Sequence, residues 1–469
     1  MNPYRHPWLI LWTLLLAGAI CALDTTAVNV AIPSIMRDLG AGVDDVLWVV
    51  NAYVLAIVAL MVSAGRLADV YGPRTLFLAG LAVFVLASAA AGVADGVGTL
   101  IAARAVQGVG AALLLPQTAS MVTHIFPPER RGRAFGIWGV VAGAAVALGP
   151  AFGGLLITSF GWRWIFHVNV PLGVAGLVAV ALVCPNPRAG TRRRFDLLGS
   201  ALLALALFLI AFALLESRAG AAGLALVLVG VFWLVERARQ HREPLLPFAL
   251  LRDRNFSLMS AINLALPCSV GSMLFLTVYY LQEALGLSAA AAGLVVAVAP
   301  AVSVPFAALS GWLTDRYGGT YVLLAGLLLL LAGLAHVAVT VGAEATWGDL
   351  LPGLLVFGAG MGVVYAPPGS IAMYGVATAM AGTASGVFST VTRMGALMGS
   401  AAVGAVLQAG LAAHGDLDRA VTSAYLLPIV VAAIAAAMTI GIRPTPSARR
   451  PAQPSDPAGA PRPQRATQR

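Results

Sequence analysis

The chain has 469 residues, of which 60% are apolar and only 10% charged, and its net charge is +9. A soluble domain carries about 25% charged residues, so a mean hydropathy of +0.90 makes lipid the solvent for most of this chain. All 28 basic residues are Arg, spread through short polar segments and not gathered on one face. That distribution argues against a nucleic-acid surface. Cys21, Cys184 and Cys268 lie far apart in apolar runs, which excludes a metal or disulfide framework. No cleavable leader is expected, because the first apolar run begins near Trp8, is long enough to span, and lacks a small-residue cleavage site.

Apolar runs of spanning length are expected at 8–33, 47–66, 75–94, 98–120, 134–157, 165–184, 195–215, 219–236, 256–281, 289–312, 320–341, 350–373, 383–410 and 420–441, fourteen in all. With the N-terminus inside, 22 arginines fall in inner segments and 4 in outer loops (Arg37, Arg163, Arg218 and Arg419); Arg104 and Arg393 lie within spans. This asymmetry fits the positive-inside rule. It predicts a multi-pass protein of the cytoplasmic membrane with both termini cytoplasmic. Most Trp residues fall near predicted span ends, as an interfacial belt requires. The Pro-, Ala- and Arg-rich stretch 443–469 reads as a disordered cytoplasmic tail.

One pattern occurs twice. Gly65-Arg-Leu-Ala-Asp69-Val-Tyr-Gly72 and Gly311-Trp-Leu-Thr-Asp315-Arg316-Tyr-Gly318 both read G-x-L-x-D-x-Y-G. From Gly65 to Gly311 is 246 residues, a distance that holds eight spans. A repeat of this kind predicts a two-half transporter. The all-α fold is then two six-helix bundles, 1–187 and 256–442, with two inserted helices and their cytoplasmic linkers in 188–255.

Several ordered motifs carry a family resemblance. They are Leu23-Asp24-Thr-Thr-Ala-Val-Asn29-Val-Ala-Ile-Pro33 in the first span, Trp48-Val-Val-Asn51-Ala-Tyr53 in the second, and the Gly65–Arg74 loop. Arg104-Ala-Val-Gln107-Gly108-Val-Gly110 follows in the fourth span, then Gly149-Pro150-Ala-Phe-Gly153-Gly154 in the fifth, then Trp162 through Pro171. From Trp8 to Ile442 the chain resembles the 14-span drug:proton antiporter family (EmrB/QacA-type) of the major facilitator superfamily. The resemblance implies export of hydrophobic or cationic drugs or antibiotics by proton antiport, with no cofactor beyond the proton gradient and a monomeric protein in the bilayer. The same fold also admits a proton-coupled carrier of one metabolite, in either direction. A non-transport membrane receptor is the remote alternative. No P-loop is present and the glycine strings lie inside apolar helices, so an enzyme is not expected.

Asp24 is an acid inside a span, where a charge is expensive and by default functional or paired. Two readings stand: a proton-coupling carboxylate, or a structural partner of Arg104. Gln107 lies three residues past Arg104 on the same face and is placed to share its network. By resemblance Gly65, Asp69, Gly72 and Arg74, with Asp315 and Arg316 in the second half, form gating loops that hold the inner side shut. The first loop departs from the family pattern at Val70 and Pro73, where basic residues are common. Such an acid can pair with arginines across the halves or sit at a helix N-terminus. Gly149, Pro150, Gly153 and Gly154 permit a kink and close packing, and by resemblance this motif marks exporters. Arg393 has no mid-span carboxylate in its own half. It binds a substrate anion or caps backbone carbonyls. Asn29, Asn51, Tyr53, Gln107, Asn263, Tyr279 and Met361 are cavity candidates by position alone.

Overall fold

The computed structural model describes residues 6–186, 196–216, 219–239, 245–342, 345–414 and 416–443; at Pro150 only the backbone is described. The tail from 444 onward and the linker arginines 188, 192–194 and 242 lie outside the described residues, as does Arg218. Among the described residues, fourteen helices are long and apolar enough to cross a membrane, matching the expected runs one for one. They are span 1 (Pro7–Leu39), span 2 (Asp45–Tyr71), span 3 (Pro73–Gly92), span 4 (Val97–Ile125), span 5 (Pro128–Gly149), span 6 (Trp164–Val183) and span 7 (Leu197–Glu216). The rest are span 8 (Gly220–Ala238), span 9 (Arg254–Glu283), span 10 (Ala291–Tyr317), span 11 (Gly319–Thr340), span 12 (Trp347–Ala372), span 13 (Thr378–Ala413) and span 14 (Leu417–Gly441).

Several helices run past the apolar stretches that announce them, because a helix continues beyond the hydrocarbon until something stops it. Span 1 carries Arg37 and Asp38 in its last turn and ends only at Gly40, whose φ of 60° lets its N–H reach the Met36 carbonyl. The α-helix through span 5 continues to Phe160. Spans 2 and 10 end on the repeated motif's last glycine. Gly72 has φ 91° and ψ 141°, and Gly318 has φ 90° and ψ 142°. This backbone region is open essentially to glycine alone. Pro73 follows as the first residue of span 3, where its missing N–H costs nothing.

Packing shows the internal symmetry directly. Span 1 packs on spans 5 and 6, span 2 on span 4, and span 3 on spans 4 and 6. In the second half span 9 packs on spans 13 and 14, span 10 on span 12, and span 11 on spans 12 and 14, the same scheme eight spans later. The halves meet through span 2 against span 13 and span 5 against span 10, which are equivalent pairs under that relation. Spans 7 and 8 pair with each other, and span 7 lies along the seam where spans 2 and 13 meet. There Phe212 packs on Trp48 with ring centroids 6.0 Å apart, beside Leu55, Val58 and Met394.

Candidate functional site

Asp24 lies in a buried polar cluster within the first bundle, with 1% of its surface exposed. Arg104 of span 4 pairs with it at 2.5 Å, Nη1 to Oδ2. The Gln107 amide donates to Asp24 Oδ1 at 3.0 Å and accepts from Arg104 at 2.5 Å. Asn169 of span 6 donates to the same carboxylate oxygen at 2.8 Å. Ser88 of span 3 accepts from both amides. Arg104 also donates through Nε to the Val49 carbonyl at 3.1 Å, and its guanidinium stacks 4.2 Å over the Tyr53 ring. A lone charge at this depth costs about 2.5–3.5 kcal/mol on insertion scales. Here the carboxylate has three donors and the guanidinium two acceptors besides the carboxylate, so the polar groups of the cluster satisfy one another.

Sequence reasoning did not select Ser88 or Asn169. Serine is common in packed membrane helices and carries no charge to flag it. Asn169 did offer a signal, because it stands two residues before Pro171 where the short helix Trp164–His167 gives way to Asn169–Val183. The span-5 glycines press on the same stretch of span 1: a methyl group at Gly149 would overlap the Thr26 hydroxyl, and one at Gly153 would overlap Ala27. Gly154 faces open space. The motif therefore sets the position of the helical turn that carries Asp24.

Two further carboxylates join the halves at the end of the molecule where span 1 begins and span 14 ends. Asp69, at the end of span 2, accepts from the Gly382 and Thr383 backbone N–H groups at 2.7 and 2.9 Å and from the Thr383 hydroxyl at 2.6 Å. It thereby caps the start of span 13. Asp315, at the end of span 10, accepts from the Arg133 N–H at 3.1 Å, with the Arg133 side chain 3.6 Å away, at the start of span 5. Each acid thus rests on the N-terminus of a helix in the opposite half, where unpaired N–H groups and the helix dipole favour negative charge. Gly65 permits this on one side, since a methyl group there would overlap Gly382 and Gly386. Gly311 permits it on the other, facing Gly132 and Gly136. Arg131 adds a staple, donating to the carbonyls of Thr123, Phe126 and Met373.

The remaining loop residues stay within their own halves. Arg74 donates to the Ala181 carbonyl of span 6. Gly72 abuts Asn186. Arg316 stacks on Trp312 and Tyr317 at 4.9 and 5.6 Å. Arg66, which the sequence places in a loop, is buried inside span 2.

The cavity candidates separate. Tyr53 and Gln107 are buried against Arg104. Asn263 ties span 9 to span 13 through the Phe388 carbonyl and the Thr392 hydroxyl. Tyr279 stacks on Phe275 along its own helix, Asn51 and Met361 are half-buried, and Asn29 is exposed. Arg393 is half-buried and within electrostatic range of Cys21, Tyr53 and Tyr365. Those residues belong to spans 1, 2 and 12.

Two related six-helix bundles, joined across one face and with a buried ion pair inside the first, define a membrane transporter. Residues 14–400 match the Major Facilitator Superfamily model, and the chain belongs to that family. An uncharacterized MFS-type transporter of Mycobacterium tuberculosis is 38% identical over 427 residues, covering 88% of this chain and 72% of the relative. A probable actinorhodin transporter of Streptomyces coelicolor is 35% identical, with 86% and 72% covered. The tetracenomycin C resistance and export protein of Streptomyces glaucescens is 31% identical, with 86% and 76% covered. Among solved structures, the MFS transporter FucP in the outward conformation superposes with a TM-score of 0.68 at 14% identity, covering 94% of this chain and all of that one.

Proposed function

We propose that this protein exports small drug-like or antibiotic molecules across the cytoplasmic membrane by proton antiport and alternating access, with both termini in the cytoplasm. The observation that carries the reading is the Asp24–Arg104 pair, a protonatable group buried inside the membrane and held by Gln107 and Asn169. Protonation of Asp24 cancels one of the two charges and releases Arg104 toward Val49 and Tyr53. The relatives named for actinorhodin transport and for tetracenomycin C export support the outward direction.

In this reading the segments 1–187 and 256–442 rock against each other, and 188–255 forms the insert. The Asp69 and Asp315 caps close the cytoplasmic side in the present state, which leaves the cavity facing outward. The protein acts as a monomer. The test is an efflux screen in a pump-deficient host with and without a protonophore. A substrate should be expelled by the wild type, retained when the proton gradient is collapsed, and retained by Asp24→Asn. Full efflux by folded Asp24→Asn would remove the coupling role from this carboxylate.

A further inference from the structure

Arg393 lies in the middle of span 13, and its surroundings differ from those of Arg104, Arg131 and Arg74. Arg104 has a carboxylate and a carbonyl, Arg131 has three carbonyls, and Arg74 has one. Among the described residues, Arg393 makes no hydrogen bond or ion pair, so capping of backbone carbonyls does not account for it. It stands twelve residues into the helix Ala381–His414, about 18 Å from its start at 1.5 Å per residue. That depth is beyond the reach of a side chain snorkelling to the headgroups.

The groups it faces are not acids. Tyr53 and Cys21 of the first half and Tyr365 of span 12 lie within its electrostatic range. The intramembrane carboxylate of Asp24 is committed to Arg104, Gln107 and Asn169. Tyr365 keeps 37% of its surface exposed although it packs on Gly139 of span 5. Arg393 is itself only half-buried, so its guanidinium keeps accessible surface beside these residues. An intramembrane cation in such a place holds a ligand of opposite charge or remains hydrated.

Building on the export reading, we propose that Arg393 binds an acidic group of the transported molecule, carboxylate or phenolate, which makes amphipathic organic anions a substrate class of this cavity. The planar fork of the guanidinium suits a carboxylate in a bidentate pair, and the partly exposed Tyr365 ring offers aromatic surface within its electrostatic range.

The test compares two aromatic probes of opposite charge, fluorescein and ethidium, in proteoliposomes under an imposed pH gradient. Fluorescein binding to the purified protein is followed in parallel by fluorescence anisotropy. The wild type should bind and move fluorescein. Arg393→Gln should lower its affinity and flux by about tenfold or more, one charge-assisted contact's worth. Arg393→Lys should recover part of both, and ethidium flux should not fall. Unchanged fluorescein binding in folded Arg393→Gln overturns the proposal, as does a wild type that moves ethidium alone. If the wild type moves neither probe, the export reading fails, and the anisotropy comparison still decides whether Arg393 is an anion site.

Discussion

Asp24 and Arg104 hold each other in place, but their removal has unequal consequences. Asp24→Asn keeps the shape and one amide acceptor, and leaves Arg104 with Val49, Gln107 and the Tyr53 ring. Arg104→Ala strands a carboxylate at 1% exposure with two neutral amide donors. Breaking a buried pair from one side costs about 3–5 kcal/mol. Thermal unfolding in detergent should therefore rank Arg104→Ala well below Asp24→Asn, and the double variant should recover part of the loss. Strictly additive effects would show that the two do not form an energetic unit. Glycine supplies a second case at this scale. Gly72→Ala and Gly318→Ala force alanine into φ near 90°, at about 1–3 kcal/mol each. Gly154→Ala enters open space and should be neutral in the same unfolding assay. Asp24, Arg104 and Gln107 were legible in the sequence because charge inside a span, and a polar residue one turn away, stand out against apolar neighbours. Ser88 and Asn169 were not, since their roles arise only when spans 3 and 6 pack on span 1.

Between elements, the repeated G-x-L-x-D-x-Y-G motif proves to be a pair of caps. The sequence offered its acids two partners, arginine side chains or helix N-termini. The backbone N–H groups of Gly382 and Thr383 meet Asp69, whereas Asp315 takes both partners, the Arg133 N–H and the Arg133 side chain 3.6 Å away. The choice was illegible because it depends on where spans 13 and 5 begin relative to spans 2 and 10, a matter of packing between halves. A carboxylate at a helix N-terminus contributes about 0.3–1 kcal/mol, and up to about 2 when partly buried. Losing it should shift a two-state equilibrium by a factor of about 2–30. Asp69→Asn and Asp315→Asn should each lengthen the distance between spin labels at exposed Tyr71 and Tyr317, which end equivalent spans in opposite halves. The double variant should lengthen it further. An unchanged distance distribution in both single variants would mean that these caps do not set the closed state.

For the whole molecule, fold and span count were legible because the bilayer enforces length and the arginines mark alternate loops, whereas the seat of span 7 on the seam of spans 2 and 13 was not. The geometry also constrains coupling. Asp24 is buried within one bundle beside Arg104, which stacks on the Tyr53 ring. On the proposed export cycle, exchange then runs through the rocking of the halves and not through competition for one carboxylate. Charge balance gives the resulting cycle a signature. If an organic anion leaves as protons enter, both movements carry positive charge inward, two elementary charges for one proton and one monoanion. At 100 mV, inside negative, the potential adds about 4.6 kcal/mol, twice the roughly 2.3 kcal/mol per charge. A monocation exchanged for one proton moves no net charge. In proteoliposomes clamped with potassium and valinomycin, a potential negative on the cytoplasmic side should accelerate fluorescein export at fixed pH gradient and leave ethidium export unchanged. Equal responses from the two probes would contradict the anionic cycle, and in Arg393→Gln any acceleration of fluorescein should disappear along with its flux.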